Sequence, residues 1–381
     1  MRRSLYIKFV FVQALFFFVL AGCKDLYQPS VASTNAVNLV VEGFINSGPD
    51  STVIRLTHSF KLEAASKISY ELHAQVYVED LAGDQYLLPE LGQGQYGVPQ
   101  LGLDPAKTYR LHIKTATGSD YASDYVPLKA SPPIDSINWT VSGSGLQIYA
   151  NTHDPQQSTH YYRWEYDEAW EFHAKYFAGL KYVNHQVLDM LDDTIYTCYQ
   201  FGNSTNILLS SSARLANDVI YQAPMVFIPQ MDWRLDDEYS ILVKEYALTQ
   251  DAYNYWSALE KNTEQLGTIF GPLPSDVRGN IHNLKDSSEE VIGYIGCGSI
   301  ATKRIFITIL DLTPYGWSQS TFGSECFSRA IPKDSADIYF GQGNYWPLTY
   351  TVPPSFGYIM APSFCANCTL TGTNKRPSYW P

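Results

Sequence analysis

The densest cluster of residue types able to do chemistry is Glu165, Asp167, Glu168 and Glu171, interleaved with Trp164, Tyr166 and Trp170. Carboxylates flanked by aromatic rings suit sugar binding, or the acid and base of a glycosidase. Side chains alternate along a strand. Glu165 and Asp167, with Ala169, would take one face, and Trp164, Tyr166, Glu168 and Trp170 the other. An outward acidic face over an inward aromatic core explains the pattern without any chemistry, and it is the favoured reading. Trp164, Tyr166 and Trp170 stand as candidate binding residues, and no residue is assigned a catalytic role.

Other signatures are missing from the sequence. It has no GxSxG, HExxH, GxxxxGK[ST] or GxGxxG pattern. Its eight histidines are scattered, with no pair at metal-ligand spacing on a convincing helix. Asp192-Asp193 and Asp236-Asp237 are paired acids without the glycine and glutamate of a calcium loop, so they read as solvated turns. No metal and no cofactor is expected.

Six cysteines occur: Cys23, Cys198, Cys297, Cys326, Cys365 and Cys368. An exported chain can keep disulfides, and Cys326, Cys365 and Cys368 are the disulfide candidates. Cys365 to Cys368 is an isolated CxxC. A structural zinc site usually needs four suitably spaced ligands, and a redox site needs a helix after the first cysteine. Disulfide is favoured over both. Cys297, between Gly296 and Gly298, reads as a buried free thiol.

Cys23 has a separate chemistry. Arg2, Arg3 and Lys8 precede an apolar run from Phe9 to Leu20, then Ala21, Gly22 and Cys23. That run is too short to span a hydrocarbon core, which needs roughly 20 residues. The arrangement resembles the bacterial lipoprotein signal, in which cleavage exposes the cysteine and acyl chains on it anchor a soluble domain. Residues 1–22 are then a signal peptide and 23–36 a lipid-anchored tether. Removing the first 22 of 381 residues leaves 359 and takes away three positive charges, from a net −12 to −15. This acidic balance argues against nucleic acid as a partner.

The elements that must position these residues are mostly strands. Leu39 to Ile45, Thr52 to Thr57, Ala74 to Glu79 and Thr108 to Thr115 are β-branched or alternating, separated by turn residues. They predict an immunoglobulin-like or fibronectin-like sandwich over 37–131. Ser131-Pro132-Pro133 is a stiff break. Gly145 to Ala150, His160 to Tyr166 and Glu238 to Glu245 predict a second sandwich in a β-rich domain over 132–381. Val291 to Tyr294 and Lys303 to Leu310 read as further strands. The one prominent helix is expected over 249–266, capped by Thr249, with Ala252, Trp256, Leu259 and Leu266 on one face. After Leu312 the chain is rich in Pro, Gly, Ser and aromatic residues and reads as a loop-rich tail.

Several weak motifs in a specific order carry a family resemblance. They are Leu39 to Ile45, Gln95 to Gly97, Tyr109 to Ile113, Pro132 to Ile137, Tyr162-Arg163-Trp164 with Trp170, and Tyr253 to Leu259. Gly279 to Ile281, Val291 to Tyr294, Cys365 to Cys368 with Thr371 to Asn374, and Pro377 to Trp380 complete them. The chain resembles a Bacteroidota lipoprotein family, domain of unknown function 4249. The resemblance implies an outer-membrane lipoprotein encoded beside TonB-dependent receptors, with an accessory role. Lys24-Asp25 resembles part of the signal that sends such lipoproteins to the cell surface, although Leu26 breaks the acidic pair. The expected function is an accessory or ligand-capture partner of a TonB-dependent transporter, held on the membrane by its lipid. The alternatives are a glycan-acting hydrolase and a structural or adhesive surface lipoprotein.

Overall fold

A computed structural model describes residues 38–59, 68–190, 192–264, 277–320, 322–352 and 356–381. The signal peptide, Cys23 and the tether lie outside them. The protein is mostly β.

In the first sandwich, period-two patterning becomes period-two burial. On Thr52–His58, Thr52, Ile54 and Leu56 are buried while Val53 and Arg55 are exposed. On Thr108–Lys114, Tyr109, Leu111 and Ile113 are fully buried. Full burial of such side chains stabilises by about 1.5–3 kcal/mol each, which makes a one-residue slip costly. One sheet runs Leu39–Gly43, Thr52–His58, Gln95–Val98, Glu90–Gly92; the other is built on Gln85–Leu88, Gln75–Asp80, Thr108–Lys114 and Asp120–Ser123.

The second sandwich packs the sheet Ile134–Ser142, Gly145–His153, Val219–Pro229 onto a larger one. That larger sheet runs Thr197–Asn203, Tyr161–His173, Glu238–Ala247, Ile300–Thr308, with Leu208–Ser211 also paired to Tyr161–His173. Its core contains Leu146, Ile148, Trp164, Tyr239, Ile241, Val243 and Ile307, all buried.

The chain crosses between the two sandwiches more than once. After the helix Gln250–Glu264 it returns to the first. Ile281–Asn283 pairs with Asp120–Ser123, and Cys297–Gly298 runs parallel to Ile45–Asn46. Ile281, Val291, Ile295 and Cys297 share the first core with Leu39 and Val41. The Val291 to Tyr294 stretch, expected as a strand, supplies only a parallel bridge from Ile292 to Val40. Gly293, at φ +137°, interrupts it, because a Cβ there would sit 2.1 Å from the Val41 carbonyl oxygen. Ser131 sews the crossover together. Its N–H donates to Ser299 Oγ, its hydroxyl donates to the Ser299 carbonyl, and it accepts from the Ala247 N–H.

The helix starts as expected, with Thr249 Oγ1 accepting from the Ala252 N–H. Leu266, the last residue expected on its apolar face, lies outside the described residues. The tail after Leu312 holds loops and also a three-stranded sheet, Arg329–Pro332, Gly357–Pro362, Tyr345–Tyr350. Among the described residues no helix is long and apolar enough to cross a membrane.

Candidate functional site

The strand Tyr161–His173 carries the predicted cluster, and its alternation divides that cluster in two. Trp164 and Trp170 turn inward and are buried. Trp164 Nε1 donates to Ser210 Oγ, and Trp170 packs edge-on against Trp233. Tyr166 is half-buried against the same core. Two of the three candidate binding rings are therefore committed to packing.

Glu168 also turns inward. Both of its oxygens accept from Arg234 Nη1 at 3.1 Å, and one accepts from the Tyr239 hydroxyl at 2.6 Å. Arg234 reaches Asp232 at 2.9 Å with Nη2. Burial alone would lower the Arg234 pKa; the Asp232 side chain and the Glu168 charge reverse this and raise it. Desolvation strengthens the pull between paired charges. Glu165 lies on the opposite face, so Glu165 and Glu168 do not converge on one substrate position.

The outward face, which carries the predicted Glu165 and Asp167, builds a site around a residue that sequence reasoning missed. Arg163 sits opposite Tyr246 in the register of Tyr161–His173 with Glu238–Ala247. Its guanidinium carbon lies 4.4 Å from the ring centre of Tyr246 and 4.4 Å from that of Trp256, which comes from the helix. Such stacking is attractive because the ring faces are negative. Arg163 Nη1 donates to Glu165 Oε1 at 2.8 Å, and the Tyr246 hydroxyl donates to Glu165 Oε2 at 2.6 Å. Burial, and then the Glu165 charge, push the Tyr246 hydroxyl pKa up, so it stays a proton donor.

Two clefts meet at this pair. One, of about 500 Å³, runs between the first sandwich, the second and the helix; Phe44, Tyr246, Trp256, Tyr294 and Ile300 supply its apolar wall. The other, of about 320 Å³, opens toward Asn203, Ser204, Thr205 and Asn206. Arg163 and Glu165 line both. Asp167, in the polar cleft, is paired with Lys244 at 2.6 Å. Glu165 and Asp167 of the predicted acidic cluster line this site; what the sequence did not single out is Arg163 and the rings of Tyr246 and Trp256 that hold it.

Cys326 bonds Cys365, and Cys368 bonds Cys198. All three disulfide candidates are oxidised, but Cys198 is a partner that the sequence did not single out. Cys297 is a free, buried thiol whose pKa burial pushes up to about 12. The Asp236-Asp237 pair has structural partners, Asp236 accepting from the Ser320 N–H and Asp237 pairing with His173 at 2.9 Å, whereas Asp192 and Asp193 are exposed beside a turn. Glu245 is fully buried, and neither carboxyl oxygen has a hydrogen-bond partner among the described residues. Burial pushes its pKa up to about 8, with the Asp135 and Asp218 charges adding to the rise, and the nearby Thr152 hydroxyl donates instead to the Pro133 carbonyl. Among the described residues no group of three or more His, Cys, Asp or Glu is placed to hold a metal ion.

No curated protein matches this chain. A family model does, over residues 24–304, which takes in the first sandwich, the second up to the middle of Ile300–Thr308, the Arg163–Glu165 pair and the helix. It stops short of Cys326, Cys365 and Cys368. The chain belongs to the family described as a domain of unknown function, DUF4249.

Proposed function

We propose that this protein is an outer-membrane lipoprotein, exposed at the cell surface, that captures a ligand for a TonB-dependent transporter without transforming it. The observation that carries the reading is the double cleft at Arg163 and Glu165. Arg163 is paired with Glu165 and Lys244 with Asp167, which suits holding a molecule rather than transferring protons to it. The lipid anchor is supported by the short apolar run ending at Cys23, and the transporter partner by the family resemblance. A hydrolase using Glu165 and Glu168 is disfavoured by their opposite faces, and one using Glu165 and Asp167, which share the outward face, by the cation that each carboxylate already holds.

Affinity purification of the tagged full chain from mildly solubilised outer membranes tests the partner. Recovery of a TonB-dependent transporter is expected, and its absence overturns the docking reading. Cys23→Ala tests the anchor: the variant is expected to leave the membrane fraction or remain unprocessed. A variant processed at the same site and still membrane-bound refutes lipidation.

A further inference from the structure

We infer that the double cleft binds a neutral oligosaccharide; this rests on the ligand-capture reading above and names the class of ligand. Three features on either side of Arg163 and Glu165 point there.

The first is charge. Glu42, Glu165 and Asp167 line the clefts, with Arg163 among them and Lys244 paired to Asp167. Arg163 is neutralised by Glu165, and Asp167 by Lys244. An anionic ligand would meet a surplus of carboxylate. Among the described residues a cationic ligand would find only the exposed Glu42 unpaired in the clefts. What remains is a set of fixed hydrogen-bonding groups with little net field, which suits hydroxyls that both donate and accept.

The second is polarity along the groove. One end presents the amides and hydroxyls of Asn203, Thr205 and Asn206, all exposed. The other presents aromatic and aliphatic carbon, with Trp256 and Tyr294 partly open. A sugar chain has both characters, with apolar C–H faces on its rings and polar edges around them. A purely apolar ligand would leave the asparagine end unsatisfied.

The third is rigidity. Glu165 is held by two donors, and Arg163 is clamped between two rings. The groove is preformed and loses little freedom on binding.

Isothermal calorimetry of the detergent-solubilised full chain against neutral hexasaccharides (cello-, xylo-, malto-, laminari-, manno- and chito-) is the test. At least one is expected to bind with Kd of about 1 mM or tighter. Asn206→Ala and Glu165→Gln should weaken that binding about tenfold or more. Asn206 is exposed on a loop, so its variant is expected to melt like the parent, which separates loss of contact from loss of fold. Binding of none of the six overturns the inference. So does affinity unchanged in both variants, or tighter binding of an oligogalacturonate than of every neutral chain. A transporter recovered without sugar binding removes the ligand class and leaves the docking reading standing. Sugar binding without a transporter does the reverse.

Discussion

Cys198 is bonded to Cys368, 170 residues further along the chain. The first lies on Thr197–Asn203, the edge strand of the larger sheet of the second sandwich, and the second lies in the tail beyond the family match. Backbone bonds flank the link. Cys368 N–H donates to the Ile195 carbonyl, and Tyr199 and Thr373 exchange both of their backbone bonds. Cys326–Cys365 closes a shorter loop of the same tail, with a separation of 39. The tail is therefore a covalent part of the second sandwich.

Removing Cys198–Cys368 should cost more than removing Cys326–Cys365. Loop-closure entropy in the unfolded chain gives about 5 kcal/mol for the longer loop and about 4 kcal/mol for the shorter, as upper values. Urea unfolding of Cys198→Ala/Cys368→Ala and of Cys326→Ala/Cys365→Ala measures the difference. A shorter-loop variant that is the less stable of the two would refute the ordering.

Thiol counting offers a second check. Cys297 is the only free cysteine among the described residues, and its thiol is buried with a pKa near 12. Reactive thiolate is scarce there. The native Cys23→Ala protein without reductant should bind no maleimide within minutes, and one equivalent after unfolding in urea. Three equivalents in urea would mean that one disulfide is absent.

The parts of this fold that were legible in the sequence are local. Alternation on Thr108–Lys114 and the Thr249 cap each depend on neighbours within a few residues. What was not legible depends on pairing across distance. Arg163 meets Tyr246 through strand register and Trp256 through helix packing. Nothing near Arg163 in the chain announces either. The same holds for Cys198, whose partner is set by how the tail lies on an edge strand. Val291 to Tyr294 is apolar enough to read as a strand, but the tight approach of Gly293 to Val41 leaves a single bridge.

Gly293→Ala should loosen the return of the chain to the first sandwich. The new methyl group would meet the Val41 carbonyl oxygen at 2.1 Å, in a backbone conformation that L side chains rarely adopt. Backbone strain of this kind costs about 1–3 kcal/mol before the clash is added. Hydrogen exchange at the Val41 and Ile292 amides, which bond across this seam, should quicken relative to Leu111. Unchanged protection of both would argue that the seam is not tight.

Arg234→Met should destabilise by about 3–5 kcal/mol, because it leaves the Glu168 carboxylate buried with one remaining donor, Tyr239. Adding Glu168→Gln should recover much of that loss, since the uncompensated charge goes with it. Chemical denaturation of the two single variants and the double gives the coupling. A double variant as unstable as the sum of the singles would deny the pairing.

Glu245 should make stability depend on pH in a direction opposite to that of most carboxylates. Its folded-state pKa, near 8, is above the ordinary value of 4.5, raised first by burial. Below pH 4.5 both states hold the proton, and the group contributes nothing to the slope. Between pH 4.5 and 8 the unfolded chain releases a proton that the folded chain keeps, so stability falls as pH rises. Above 8 both states are ionised, and the loss levels off at about 3–5 kcal/mol. Glu245→Gln removes this titration while keeping the side-chain shape. The stability of the variant minus that of the parent should therefore grow in the variant's favour from pH 5 to pH 8. A difference that stays flat across that window would place the Glu245 carboxyl in contact with water or with a donor.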